Sequence, residues 1–282
     1  MRIALAQIAP SLGNVPANFD LHLQEIDRAR RAQADLVVVP ELSLTGYLLK
    51  DLVETVALEP DKDRYFREFK SLSREIGLVL GFVEEKERGL FFNSAALLAG
   101  GEILSIHRKV FLPTYGMFEE GKFFAVGRNF RVVPTPWGKA GLMICREFLS
   151  HGAHYLLLAQ GAELVLAVSA APGRGLSEAE DFATGRMWEV MAEAMSYFSG
   201  SFIAYCNRAG YEDGIAFGGG SFIFNPLGQR LVKAKPAERD FIVQDIDPRE
   251  IRRARAAMPF LRDDRPEIIL HALQRVVESH ED

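Results

Sequence analysis

Two hydrophobic periods alternate along the chain: short Val/Ile/Leu-rich runs of strand length, and longer amphipathic stretches between them. Residues 2–8 (RIALAQI) read as a strand, 16–33 as a helix opened by Asn14 with Pro16 in its first turn, and 35–39 (DLVVV) as a buried strand ending at Pro40. A second amphipathic helix is predicted over 61–76. Strands 78–83, 91–98 and 102–108 follow, separated only by charged or glycine-containing turns such as Gly100-Gly101, which predicts antiparallel pairing. Beyond a long loop rich in Gly and aromatics, 130–135 and 139–144 form a predicted hairpin around Pro136-Trp137-Gly138. A helix over 151–160 and a buried strand over 163–168 come next, and the longest predicted helix covers 178–199. Strands 202–206, 220–225, 229–233 and 240–245 precede terminal helices at 248–257 and 266–278. This α/β rhythm has more strands than one open sheet normally carries, so the predicted packing is two stacked sheets flanked by helices. No Ser/Pro-rich linker interrupts it, which predicts a single domain over 1–282.

Composition removes several partner classes. The 282 residues include 33 basic and 38 acidic ones, a formal charge of −5. Nucleic acid and anionic membranes favour clustered positive charge, so neither is an expected partner. The N-terminal apolar run is too short for an export signal, and no stretch reaches the ~18 apolar residues of a membrane span. Cys145 and Cys206 are the only cysteines, too few for a disulfide framework and consistent with a reducing, cytoplasmic location.

Some motifs mislead. Gly116–Lys122 (GMFEEGK) lacks the Ser or Thr a phosphate loop needs after its Lys, having Phe123 there, and its two glutamates repel phosphate. His151 and His154, near Cys145 and Glu147, lack a third zinc ligand at the usual spacing. REIRRAR at 249–255 reads as a solvated helix face. The triplet Gly218–Gly220 lacks the helix and spacing of a dinucleotide site and suggests close backbone approach instead. No G-x-S-x-G elbow is present.

Three polar residues stand at the ends of apolar strands, where α/β sheets place their chemistry. Glu41 follows DLVVVP. It is either a solvent-exposed loop residue or a buried carboxylate that requires a cationic or hydrogen-bonding partner. Lys109 ends GEILSIHRK and enters an aromatic loop. A lone Lys there would snorkel to water, but Glu120 beyond the loop offers a carboxylate to keep it charged and oriented. Cys145 ends KAGLMIC before a turn and a helix, whose N-terminal amides can lower a thiol pKa. Cys206, within FIAYCNRAG, reads as core. The three types form a chemical set: a thiol needs a base, for which Glu41 is the candidate. An oxyanion formed by attack on an amide needs a fixed cation and a backbone N–H, for which Lys109 and the amide of Arg146 are candidates.

The segments PELSLTGY, HRKVFLPTYGMFEE and GLMICREF, in that order, resemble the nitrilase superfamily of carbon–nitrogen hydrolases. NRAGYEDGIAFGGGSFIFNPLGQ at 207–229 and LRDDRPEII near the end extend the likeness over nearly the whole chain. The resemblance implies an αββα sandwich of two stacked mixed β-sheets flanked by helices, commonly assembled as a homodimer or higher homo-oligomer. It implies Glu41 as general base, Lys109 as oxyanion stabiliser, Cys145 as nucleophile and Glu120 as the second glutamate, with no metal and no organic cofactor. Substrate contacts are expected from Tyr115, Arg146, Ser169 and Ala170. Arg146 departs from the aromatic or small residue that many members carry there, so the resemblance does not define the substrate pocket: Arg146 is either a solvated side chain or a cation that favours an anionic substrate tail. The loop LPTYGMFEEGKFF is similar to the glutaminase domain of glutamine-dependent NAD synthetases, but 282 residues leave no room for a synthetase domain. The expected activity is that of a stand-alone amidase acting on a small primary amide or N-carbamoyl compound. The alternatives are a glutaminase-like subunit that supplies ammonia within a larger complex, or a true nitrilase.

Overall fold

A computed structural model describes residues 1–175 and 182–279. The chain opens with β1 (Arg2–Gln7), α1 (Val15–Arg31) and β2 (Leu36–Val38), then the short α2 (Val53–Val56) and α3 (Arg64–Leu72). Next come β3 (Gly77–Glu87), β4 (Leu90–Ala99), β5 (Glu102–Arg108), β6 (Val132–Thr135), β7 (Gly138–Ile144), α4 (His151–Ala159) and β8 (Leu164–Ser169). The second half holds α5 (Ala183–Ser199), β9 (Phe202–Asn207), β10 (Ala209–Glu212), β11 (Ile215–Gly218), β12 (Phe222–Phe224), β13 (Arg230–Lys233) and β14 (Asp240–Asp245). It closes with α6 (Arg249–Ala257), α7 (Phe260–Asp263) and α8 (Pro266–Glu278).

One arrangement is built twice. The first sheet has the order β14-β1-β2-β3-β4-β5, with β1, β2 and β3 parallel and antiparallel strands on both sides. The second has the order β13-β12-β9-β8-β7-β6, with β7, β8 and β9 parallel and antiparallel flanks. Alternation along β1 explains the layering, because successive side chains point to opposite faces. Ile3 and Leu5 join a cluster with Leu142, Ile144, Val165 and Ile203 of the second sheet. Ala4 and Ala6 join Ile26, Phe66 and Phe69 of α1 and α3. Ala153, Leu157, Trp188 and Ala192 of α4 and α5 close the far side, giving helices, sheet, sheet, helices. Each fully buried Leu, Ile or Phe contributes about 1.5–3 kcal/mol, so the two apolar faces of each sheet dominate its stability.

Local chemistry moves some boundaries. Asn14 accepts from Ala17 N to start α1 as predicted. The helix expected over 61–76 is shorter because Asp63 caps it, accepting from Tyr65 N at 2.7 Å. The strand expected over 220–225 contracts to β12 because Gly219 and Gly220 take positive φ, and a Cβ on Gly219 would stand 2.6 Å from Gln7 Nε2. The helix expected over 178–199 is described from Ala183, and residues 178–181 lie outside the described residues. The β10–β11 hairpin is an addition. AGYE carries no clear alternation, and the pairing is secured by the buried Arg208–Glu212 ion pair at 2.6 Å and by Arg208 over the Phe217 ring. Among the described residues, no helix is long and apolar enough to cross a membrane.

Candidate active site

Four of the residues singled out by sequence converge behind the carboxyl ends of the central strands. Glu41 lies just past β2, and β3 presses against it at Gly81, where a Cβ would stand 2.3 Å from Leu42 N and 2.8 Å from the Glu41 carbonyl carbon. Only glycine admits that approach. Lys109 directly follows β5, its N–H donating to Asn93 O at 2.9 Å. Cys145 follows β7 and opens a short 3-10 turn, Cys145–Leu149, with φ +47. Such a left-handed conformation costs a non-glycine residue roughly 1–2 kcal/mol.

Glu41 is 1% exposed and Lys109 is fully buried. Burial of Glu41 therefore decides between the two sequence readings, and its partners are complete. Oε1 accepts from Lys109 Nζ and from Asn93 Nδ2, each at 2.7 Å, and Oε2 accepts from the backbone N–H of Ala170 at 2.7 Å. Lys109 Nζ also donates to Glu120 Oε1 at 2.7 Å, and Tyr47 Oη donates to the same oxygen at 2.5 Å. Burial by itself would depress the Lys109 pKa, but the charges of Glu120 and Glu41 outweigh it and hold the ammonium above its ordinary value. Burial pushes Glu120 up, with Lys109 pulling it down.

The thiol reverses one expectation. Rather than being acidified by the following amides, Cys145 is pushed up to about 12, first by burial and then by the Glu41 carboxylate, with Lys109 and the Ser169 hydroxyl acting in the opposite sense. A short 3-10 turn has few aligned peptide dipoles, and they are outweighed by desolvation of a thiol that is 5% exposed. At neutral pH the resting thiol is protonated, so a neighbouring base must take its proton during attack.

The expected substrate contacts divide. Ser169 is fully buried at the end of β8, beside the thiol, and its Oγ lacks a well-formed hydrogen bond. Ala170 spends its N–H on Glu41. Arg146 follows the thiol on the turn, with a buried Nη1 that has no acceptor among the described residues. Tyr115 is 56% exposed, packs edge-on against Phe118 and stands outside the buried cluster. Sequence reasoning missed Asn93, Tyr47 and Glu147. Asn93 reaches Glu41 only through the pairing of β3 with β4, and Tyr47 was visible only as part of PELSLTGY.

The misleading motifs also find their places. Glu120 of GMFEEGK belongs to the Lys109 cluster. His154 is buried on the Phe148 carbonyl at 2.8 Å, and no group of three or more His, Cys, Asp or Glu among the described residues could hold a metal ion. In the basic run, Arg249 pairs with Asp247, while Arg255 reaches the carbonyls of Ala162 and Ser199.

Comparison with known proteins gives consistent relatives. The model of the family described as carbon-nitrogen hydrolase matches residues 2–256. The chain is 30% identical over 254 residues to a glutamine-dependent NAD(+) synthetase of Thermotoga maritima, covering 88% of this chain and 42% of that protein. It thus spans less than half the length of that synthetase. The carbon-nitrogen hydrolase of Helicobacter pylori G27 superposes with a TM-score of 0.82 at 26% identity, covering 97% of this chain and 98% of the other. A mutant of the amidase from Nesterenkonia sp. AN1, carrying the product of Michael addition of acrylamide at its active-site cysteine, superposes with a TM-score of 0.79 at 25% identity over 96% and 99% of the two chains.

Proposed function

Because the chain belongs to the carbon–nitrogen hydrolase family, we propose that it hydrolyses a small primary amide or N-carbamoyl compound through a thioester on Cys145. The observation that carries this reading is the buried Lys109, held between Glu41 and Glu120 beside a thiol that is protonated at rest. Glu41 takes the thiol proton as Sγ attacks the carbonyl carbon, and passes it to the departing nitrogen. Ammonia or amine leaves when the C–N bond breaks. Water then attacks the thioester, giving its proton to Glu41. The acid is released and the proton returns to sulfur. Water is the only co-reactant.

Lys109 has three N–H donors, and Glu41 and Glu120 occupy two. The third, with the backbone N–H of Arg146, is available to the oxyanion. A fixed donor of this kind is worth about 10²–10³ in rate. Glu120, steadied by Tyr47, keeps Lys109 charged and aimed. A second reading, ammonia supply from glutamine to a partner enzyme, is supported by the similarity to glutamine-dependent synthetases. Association with a second copy belongs to the same proposal, since α8 buries no residue and exposes Ile268, Leu270, Leu273 and Val277.

The test is ammonia release from a panel of small amides, N-carbamoyl amines, nitriles and glutamine, comparing wild type with Cys145→Ala. Activity that survives in the variant sinks the thiol mechanism. Turnover of glutamine alone transfers the conclusion to the second reading, and solution mass decides whether a second copy binds.

A further inference from the structure

We infer that Glu147 is a positioning residue that sets the placement of Cys145 against Lys109, an inference that rests on the roles proposed for those two groups. Its side chain is fully buried, and both of its oxygens are engaged. Oε2 accepts from the backbone N–H of Ile144 at 2.6 Å and from His107 Nε2 at 2.7 Å, and Oε1 accepts from the backbone N–H of Val110 at 2.6 Å. Ile144 immediately precedes the thiol, whereas His107 and Val110 bracket Lys109. One carboxylate therefore ties the end of β5 in the first sheet to the end of β7 in the second.

The strand ends need such a tie. Cys145 sits at φ +47, an unfavourable conformation that persists only where its surroundings hold it. The bond to Ile144 N restrains the residue that enters this turn. Lys109 belongs to the other sheet, so no backbone ladder fixes its distance from the thiol. Hydrogen bonds to a carboxylate are stronger and more directional than those between neutral groups, and three of them converge on Glu147. The His107 ring that meets Oε2 is itself packed against Phe130 at 5.5 Å, which fixes its plane. Glu147 touches neither reacting atom in this scheme and acts through the two residues that do.

The test combines Glu147→Gln, His107→Leu and His107→Gln. In Glu147→Gln one of the two main-chain N–H groups faces an amide donor, whichever way the side chain is turned. Two readouts are followed: kcat and KM on the amide that wild type hydrolyses fastest, and acrylamide labelling of each cysteine by mass spectrometry. Glu147→Gln is expected to lower kcat about 10²-fold with KM within about threefold, and to slow labelling of Cys145 about tenfold. His107→Leu should fall between wild type and Glu147→Gln, and His107→Gln, which keeps a donor, should stay within about threefold of wild type. Buried Cys206 is the internal control: if its labelling rises in Glu147→Gln, the defect is unfolding and the positioning role is overturned. Labelling of Cys145 at an unchanged rate, or a loss expressed in KM alone, overturns it as well. If labelling slows as expected but wild type hydrolyses no amide, the positioning role stands and the proposed reaction fails.

Discussion

Cys145 and Cys206 are both buried, and burial raises both thiols above their ordinary pKa, so acidity does not tell them apart. Their surroundings do. Cys206 lies within the regular strand β9, its Sγ reaching across to the carbonyls of Val38 at 3.3 Å and Ala6 at 3.6 Å in the other sheet. Those carbonyls accept a proton's hydrogen bond but cannot remove the proton. Cys145 stands on a left-handed turn at a strand end, in the field of a carboxylate and an ammonium. Under the proposed mechanism the reactive thiol is the one with an adjacent carboxylate and an adjacent ammonium, and a raised resting pKa is compatible with that role because the proton need leave only during attack.

Substitution tests this contrast most severely. Cys145→Ala should abolish hydrolysis, a loss of more than about 10³-fold, while Cys206→Ala should keep activity within about threefold and cost about 1 kcal/mol in denaturant unfolding. Equal losses in the two variants would erase the distinction. Glu41→Gln is expected to reduce kcat about 10²–10⁴-fold with the fold intact by circular dichroism. Lys109→Met should both inactivate and destabilise, by about 3–5 kcal/mol in urea unfolding, because it leaves Glu41 and Glu120 buried without their cation.

The pH dependence sharpens the same comparison. Cys145 is pushed up to about 12, so its alkylation rate should rise steadily from pH 7 to 10, and a plateau near neutrality would reveal a preformed thiolate. A thiol held protonated in the folded state contributes fully below its ordinary value near 9.0, and the contribution is lost as pH rises through 12. The smallest effect is expected from Tyr47→Phe, which removes one hydrogen bond from Glu120 and should lower kcat by about threefold to tenfold.

Much of the architecture was legible from local pattern. Runs such as DLVVV and ELVLAV place the buried parallel strands, and the Pro136-Trp137-Gly138 turn places the β6–β7 hairpin. The β10–β11 hairpin was not legible, since a buried ion pair rather than alternation supports it. Within the candidate site, Glu41, Lys109 and Cys145 were singled out by their strand-end positions and Glu120 by its place beyond the aromatic loop, and the structure brings the four together. Asn93 and Glu147 could not be assigned, because each is recruited by contacts made across sheets or between paired strands.

What the sequence determined by itself, then, is the kind of each major element, the two-sheet packing and the chemical types at the strand ends. Element type and strand-end chemistry depend on residues within a turn or two of one another, where period, capping and chain stiffness act, and the two-sheet packing follows from the number of strands along the chain. Tertiary structure alone decided that Glu41 is buried and fully partnered, that the Cys145 thiol is raised rather than lowered, and that Glu147 joins the two sheets. Hydrogen bonds, desolvation and charge act through space, and the groups concerned lie as far as 129 residues apart along the chain, as Glu41 and Ala170 do.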